Sequence, residues 1–419
     1  HVIITGLLIA PVFAFAQSKK TGTGSPVVMV TGKPLSNADS VEMRDMFLSA
    51  LHEKTIENFT KAADLFNQVL QADPANDAAM YELAGLKQSQ KNDADARQLL
   101  ERAVTVNPNN EWYWLALANS YEKSNDLAKL ENVFNELIRI SPDKPEYYFD
   151  KANAYFLQGR LDDALAVYKK IESITGITDD IVAQRQKIYL KQNKVDLAAS
   201  ELENMITANP GQVKYYLLLA EIYNSNHLNN KALDILQKAS KLAPNNGLVH
   251  LALADIYRDK KDNDACFNEL KLAFAIPDLN IDQKLRILMG YYPKFPEANA
   301  TASALELSRI LVSTHPADAK AYAAYGDMQM QSGNLKDART AFQKSVQLNE
   351  QTYSVQEQLV RMDLSDNDAD AALKDGQNAL SLFPNQAWMN YLVGIAYLQK
   401  KNYPKAISYV KNATSLELQ

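Results

Sequence analysis

Asp77–Asn110, DAAMYELAGLKQSQKNDADARQLLERAVTVNPNN, is the stretch from which the rest of the chain can be read. Met80, Leu83, Ala84 and Lys87 fall on one predicted helix, and Ala96, Leu100 and Ala103 on a second. Apolar residues at this spacing give each helix one apolar stripe. Alanine stands where two helices must approach closely, and larger apolar residues stand where they must fill space. Pro108 closes the unit, because a proline cannot donate to a continuing helix.

The prolines give a period. Pro74, Pro108 and Pro142 are 34 residues apart (108−74, 142−108), and Pro210 and Pro244 repeat the step. Gly176 takes the place of the missing proline between Pro142 and Pro210. A fixed period of this size marks a solenoid, in which each unit buries its apolar side against its neighbours.

The residue pattern resembles the tetratricopeptide repeat family. Trp114, Leu117, Ala118 and Tyr121, then Phe134 and Pro142, follow that family's signature. So do Tyr216, Leu219, Ala220 and Tyr223 with Ala232, Leu236, Ala239 and Pro244, and Tyr322, Tyr325 and Gly326 with Ala338 and Phe342. The resemblance covers roughly Met43–Gln419 in about eleven repeats. It implies an all-α, right-handed α-solenoid superhelix of helix-turn-helix units, used to bind other proteins.

Seven repeats are expected over 43–280, starting at Met43, Asp77, Glu111, Pro145, Asp179, Val213 and Gly247. The first looks atypical on its first helix (Ser49, Ala50, Glu53), as a terminal unit can be. The fifth carries Arg185 and Gln186 where leucine and alanine pack elsewhere, so a looser local contact is expected there. The eighth, 281–317, has a turn lengthened by YYPKFPEANA, Tyr291–Ala300, and this turn is expected to protrude. Regular spacing resumes over 318–419, where the last helix leaves Ile407, Val410 and Leu416 as an apolar face. That end reads as a truncation, with a face that meets a partner as the alternative.

His1–Ala16 is an apolar run without Lys, Arg, Asp or Glu, ending in Ala14-Phe15-Ala16. It reads as the core and cleavage site of a secretory signal peptide lacking its basic start, which predicts an exported, periplasmic or secreted chain. No later run is apolar enough to cross a bilayer. Residues 17–42 read as a flexible leader, with a short strand conceivable at Val27–Val30. Gly32-Lys33 does not make a phosphate loop, because Pro34 stands where Ser or Thr is needed.

The net charge is −6 with both signs interspersed, which argues against nucleic-acid binding by a basic stripe. The single cysteine, Cys266, occupies a slot held by Ala96, Ala164, Ala198 and Ala232 elsewhere, so it reads as a packed thiol. The five histidines have no metal-ligand spacing, and His250 sits in the slot of Trp114 and Tyr216, wedged between helices. No catalytic constellation, cofactor motif or metal motif is legible. The acidic run Asp366–Asp370 falls in a turn, where it favours a helix start.

In the family that the chain resembles, first helices line a concave wall that holds extended peptides or partner helices. On this chain the corresponding stripe is Tyr81 and Glu82, then Trp112, Leu115, Asn119 and Glu122, then Glu146, Phe149, Asn153 and Phe156. Asn119 and Asn153 occupy matched positions and offer both donors and acceptors to a peptide backbone. Trp112 and Phe149 are candidate apolar anchors, with packing between helices as the competing role. Trp388, Tyr391, Ile395 and Leu398 form a second candidate wall in the last unit. Lys214 and Lys320 stand too far apart in repeat number to form a carboxylate clamp. The expectation is an interaction scaffold that does no chemistry. The alternatives are the accessory arm of an enzyme whose catalytic domain lies elsewhere, and a glycan or cell-wall binder.

Overall fold

The computed structural model describes residues 37–291, 293 and 298–417. The expected signal run, most of the leader, Val27–Val30, Gly32-Lys33 and half of the Tyr291–Ala300 turn lie outside the described residues. Among the described residues there are 22 helices and no strand. The chain divides into two compact units, His1–Ile181 and Val182–Gln419.

The first unit contains α1 (Asn37–Thr55), α2 (Phe59–Ala72), α3 (Asp77–Ser89), α4 (Asp93–Val106), α5 (Glu111–Lys123), α6 (Leu127–Ile140), α7 (Pro145–Leu157) and α8 (Leu161–Thr175). The boundary falls within α9 (Asp179–Lys191), the helix that carries Arg185 and Gln186. The second unit continues through α10 (Val195–Ala208), α11 (Val213–Ser225), α12 (Asn229–Leu242), α13 (Gly247–Asp259), α14 (Asn263–Phe274) and α15 (Ile281–Met289). It ends with α16 (Ala298–Thr314), α17 (Ala319–Gln331), α18 (Leu335–Leu348), α19 (Tyr353–Ser365), α20 (Ala369–Leu382), α21 (Ala387–Gln399) and α22 (Tyr403–Glu417). Within each unit, helices pack on their neighbours in sequence and on little else, as a solenoid requires. α1 begins at Asn37, inside the span read as leader.

Local chemistry sets the helix ends. Asn76, Asn92, Asn110 and Asp126 each accept a hydrogen bond from a backbone N–H in the first turn that follows. Asp368, in the acidic run, does the same for α20. First helices end on a left-handed residue at a fixed place: Glu57, Lys91, Asn125, Gly159, Asn193, His227 and Lys261, then Gly333, Asn367 and Lys401. The next N–H reaches back into the helix, as from Asn92 to the Lys87 carbonyl at 2.9 Å, which completes a Schellman stop. Gly176 closes α8 with φ 76°, as its place in the period predicts.

Packing within a hairpin matches a small residue on the first helix to a large one on the second. Ala84 faces the slot of Leu100, Ala118 that of Phe134, and Ala152 that of Tyr168, and all are buried. Ala50 is fully buried in the cluster containing Phe66, so the first repeat keeps this contact and is less atypical than its sequence suggests. Gly326 faces Phe342 so closely that a Cβ would lie 2.5 Å from the ring. In the tenth hairpin the sizes reverse, with Val360 on the first helix and Gly376 on the second, a Cβ on which would lie 3.8 Å from Val360.

Several repeats are tied across their joints by the fourth residue of the first helix. Trp114 donates to the Pro108 carbonyl at 2.9 Å, Tyr148 to Pro142 at 3.1 Å and Tyr216 to Pro210 at 3.0 Å. Gln356 donates to Glu350 at 2.7 Å. His250, 4% exposed, holds the Pro244 carbonyl at 2.8 Å and Glu269 at 2.6 Å, the wedged position expected for it. A second tie joins tyrosines to glutamates of another helix: Tyr121 to Glu101 at 2.6 Å, Tyr155 to Glu131 at 2.8 Å and Tyr223 to Glu203 at 3.0 Å.

Where leucine and alanine are replaced in the fifth repeat, polar contacts substitute for apolar ones. Arg185 pairs with Glu201 at 2.6 Å, and Gln186 donates to the Ala198 carbonyl. Cys266 packs in the cluster of Leu270, Phe274 and Leu288, in the small-residue slot predicted for it.

Candidate functional site

The first helices of the early repeats present a stripe that the packing leaves uncovered. Trp112 is the second residue of α5, and its backbone N–H is held by the Asn110 side chain at 3.1 Å. Its indole is 69% exposed. Asn119 lies two turns along the same helix, so the two side chains share a face. Asn119 is exposed, as is Asn153 at the matching place on α7, and among the described residues neither side chain is hydrogen-bonded. Leu115 and Phe156 are half-buried beside them in the stripe, and Leu157 at the end of α7 is 60% exposed.

Two stripe aromatics are held by other rings. Tyr81 is half-buried, with its ring 5.1 Å from that of Tyr113 on α5. Phe149 is half-buried and meets Tyr168 of α8 edge-on at 5.8 Å. These contacts fix both rings and leave part of each open. Glu82 is paired with Lys54 at 2.5 Å.

The charges of the stripe are uneven. Glu111, at the start of α5, is satisfied by Lys144 and by the Tyr147 hydroxyl. Glu122, Glu146 and Asp150 make no ion pair among the described residues. Burial by the surrounding protein, then the charge of Asp150, raises the Glu122 carboxyl above the ordinary glutamate value. Burial, then Glu146, does the same to Asp150. Asp150 and Leu157 were not picked out from the sequence. The available signal was the spacing of Glu146 and Asp150, two like charges four residues apart on one helix face.

In the second unit, Trp388 and Tyr391 lie one turn apart on α21 and stack at 5.1 Å, both exposed. Ile395 is half-buried and Leu398 exposed on the same stripe. Ile407 and Val410 of α22 are also exposed, as expected. Lys320 pairs with Asp282 at 2.8 Å, and Lys214 lies over the Tyr215 ring.

The sequence reading passed over Lys284, the fourth residue of α15. It is fully buried and donates to the Phe274 carbonyl at 3.0 Å, the Ile276 carbonyl at 2.7 Å and His315 Nε2 at 2.8 Å. Burial pushes its ammonium down to about 8, and burial and the Lys284 charge push His315 down as well. This lysine occupies the slot of Trp114 and Tyr216 and serves the same purpose, capturing backbone carbonyls at a joint. Among the described residues, no three His, Cys, Asp or Glu side chains gather as a metal site, and no helix is long and apolar enough to cross a membrane.

A family model described as Tetratricopeptide repeat matches residues 57–120 and 189–256. A second of the same description matches 115–176 and 294–351. No curated protein matches. Among solved structures, one titled Naa15/Naa10 bound to HypK-THB is similar at 14% identity and TM-score 0.41, over 90% of this chain and 72% of that one. YrrB, titled a TPR protein with an unusual peptide-binding site, is similar at 17% identity and TM-score 0.30, over 53% of this chain and 95% of its own. A tetratricopeptide repeat protein from Parabacteroides merdae ATCC 43184 is similar at 13% identity and TM-score 0.34, over 63% and 98%. The family models together span more than half of the sequence. The chain belongs to the tetratricopeptide repeat family.

Proposed function

We propose that this protein-interaction scaffold grips an extended peptide segment or a partner helix along the uncovered stripe of α5 and α7, and that it does no chemistry of its own. The observation that carries this reading is Trp112, 69% exposed on a helix fixed at its start by Asn110. An aromatic anchor of that size, left in water on a rigid frame, is the side chain that gains most from a partner. Asn119 and Asn153 add unused amides on the same stripe, able to meet a peptide's N–H and C=O groups. A frame made of packed hairpins loses little entropy on binding.

The apolar run His1–Ala16 supports export, with assembly of cell-envelope complexes as the setting. A second reading, glycan binding, draws support from the stacked and exposed Trp388 and Tyr391.

The test is capture from an envelope fraction by the full chain, repeated with Trp112→Ala plus Asn119→Ala. The retained partner is expected to bind the double variant at least about tenfold more weakly, since buried aromatic anchors contribute 2 kcal/mol or more, with helicity by circular dichroism unchanged. Undiminished binding by a fully helical double variant defeats the reading.

A further inference from the structure

We infer that the α5–α7 stripe selects an extended segment bearing lysine or arginine side chains among apolar ones. This rests on the reading of that stripe as the binding surface and adds the chemistry of its partner.

Glu82 is taken by Lys54, Glu101 by Tyr121 and Lys129, Glu111 by Lys144 and Tyr147, and Glu131 by Arg160 and Tyr155. Each of these carboxylates ties helices together. Glu122, Glu146 and Asp150 on the stripe are engaged by no cation among the described residues. Lys123, next to Glu122 in the last turn of α5, makes no ion pair with them.

Glu146 stands in the first turn of α7, where the helix dipole favours it, whereas Glu122 and Asp150 are placed less favourably. Glu122 is the penultimate residue of α5, at the negative end of the helix dipole. It also feels Asp150, which in turn feels Glu146, and all three carboxylates stand exposed on the stripe. A cation arriving from outside removes the repulsion. The exposed Trp112 face supplies a cation–π contact for the same kind of side chain. Leu115, Phe156 and Leu157 supply apolar surface between the charged points. An acidic segment meets three like charges here and is turned away.

The experiment measures binding of two labelled peptides, one repeating Lys-Leu-Ser and one repeating Glu-Leu-Ser, to the full chain by fluorescence anisotropy. The basic peptide is expected to bind at least about tenfold more tightly. Its affinity is expected to fall about tenfold in Glu122→Gln plus Asp150→Asn, and to weaken with added salt. A charge-matched control on α1, Glu42→Gln plus Asp45→Asn, is expected to leave it unchanged. Equal affinity for the two peptides, or the same loss from the control as from the stripe variant, overturns the inference. If both peptides bind equally and both are weakened by Trp112→Ala, the binding surface stands and its charge preference falls. If basic-peptide binding ignores Trp112→Ala as well, the surface itself is wrong.

Discussion

At the residue scale, the joints of this solenoid depend on single side chains that capture a carbonyl. Trp114, Tyr148, Tyr216, His250, Lys284 and Gln356 differ chemically and share one act, donation to the backbone where the preceding hairpin ends. His250 makes this act pH-dependent. Both of its ring nitrogens face acceptors, so the charged imidazolium satisfies both contacts. Its pKa is raised above the ordinary histidine value, chiefly by the hydrogen bond to Glu269 and against the effect of burial. A raised folded-state pKa gives stability that is complete below the unfolded value of about 6.5 and is lost as the pH climbs through the raised value. Chemical denaturation across this range is expected to show stability declining as the pH rises. His250→Tyr places the residue found at Tyr216 in the same slot and is expected to remove that slope. A pH dependence unchanged by the substitution contradicts this account of the joint.

At the scale of the element, each hairpin is a size match between two helices. Gly326 and Phe342 are the tightest case, with room for no Cβ. Gly326→Ala is expected to destabilise by about 1–3 kcal/mol through overpacking. Adding Phe342→Leu recreates the pairing of Ala84 with Leu100 and is expected to recover most of the loss, measured by denaturant midpoint at constant slope. The hairpins were legible because their alanines, leucines and prolines recur in register. The left-handed stops were not, because Glu57, Lys91, His227, Lys261 and Lys401 occupy them, and a side chain with no φ > 0 preference leaves no mark in a sequence. Lys284 escaped notice for a related reason: a lysine ordinarily signals a solvated face, and here three acceptors hold it inside.

At the scale of the whole molecule, contacts within each unit run between sequence neighbours, so one face of the first helices is never needed for stability. That is why the exposed stripe could be located from the repeat, down to Trp112, Asn119 and Asn153. What the repeat could not say was which stripe residues the fold had already engaged. Tyr81 and Phe149 look like Trp112 in sequence, and only the positions of Tyr113 and Tyr168 show that their rings are partly occupied. The chain has three tryptophans, and Trp114→Phe with Trp388→Phe leaves Trp112 as the sole indole. The most direct measurement is therefore the emission of Trp112 in that variant as a captured partner peptide is added. A saturable shift to shorter wavelength is predicted, as the indole leaves water for the interface. Emission that stays at its solvent-exposed position while the peptide is bound would contradict the claim that this stripe is where the protein holds its partners.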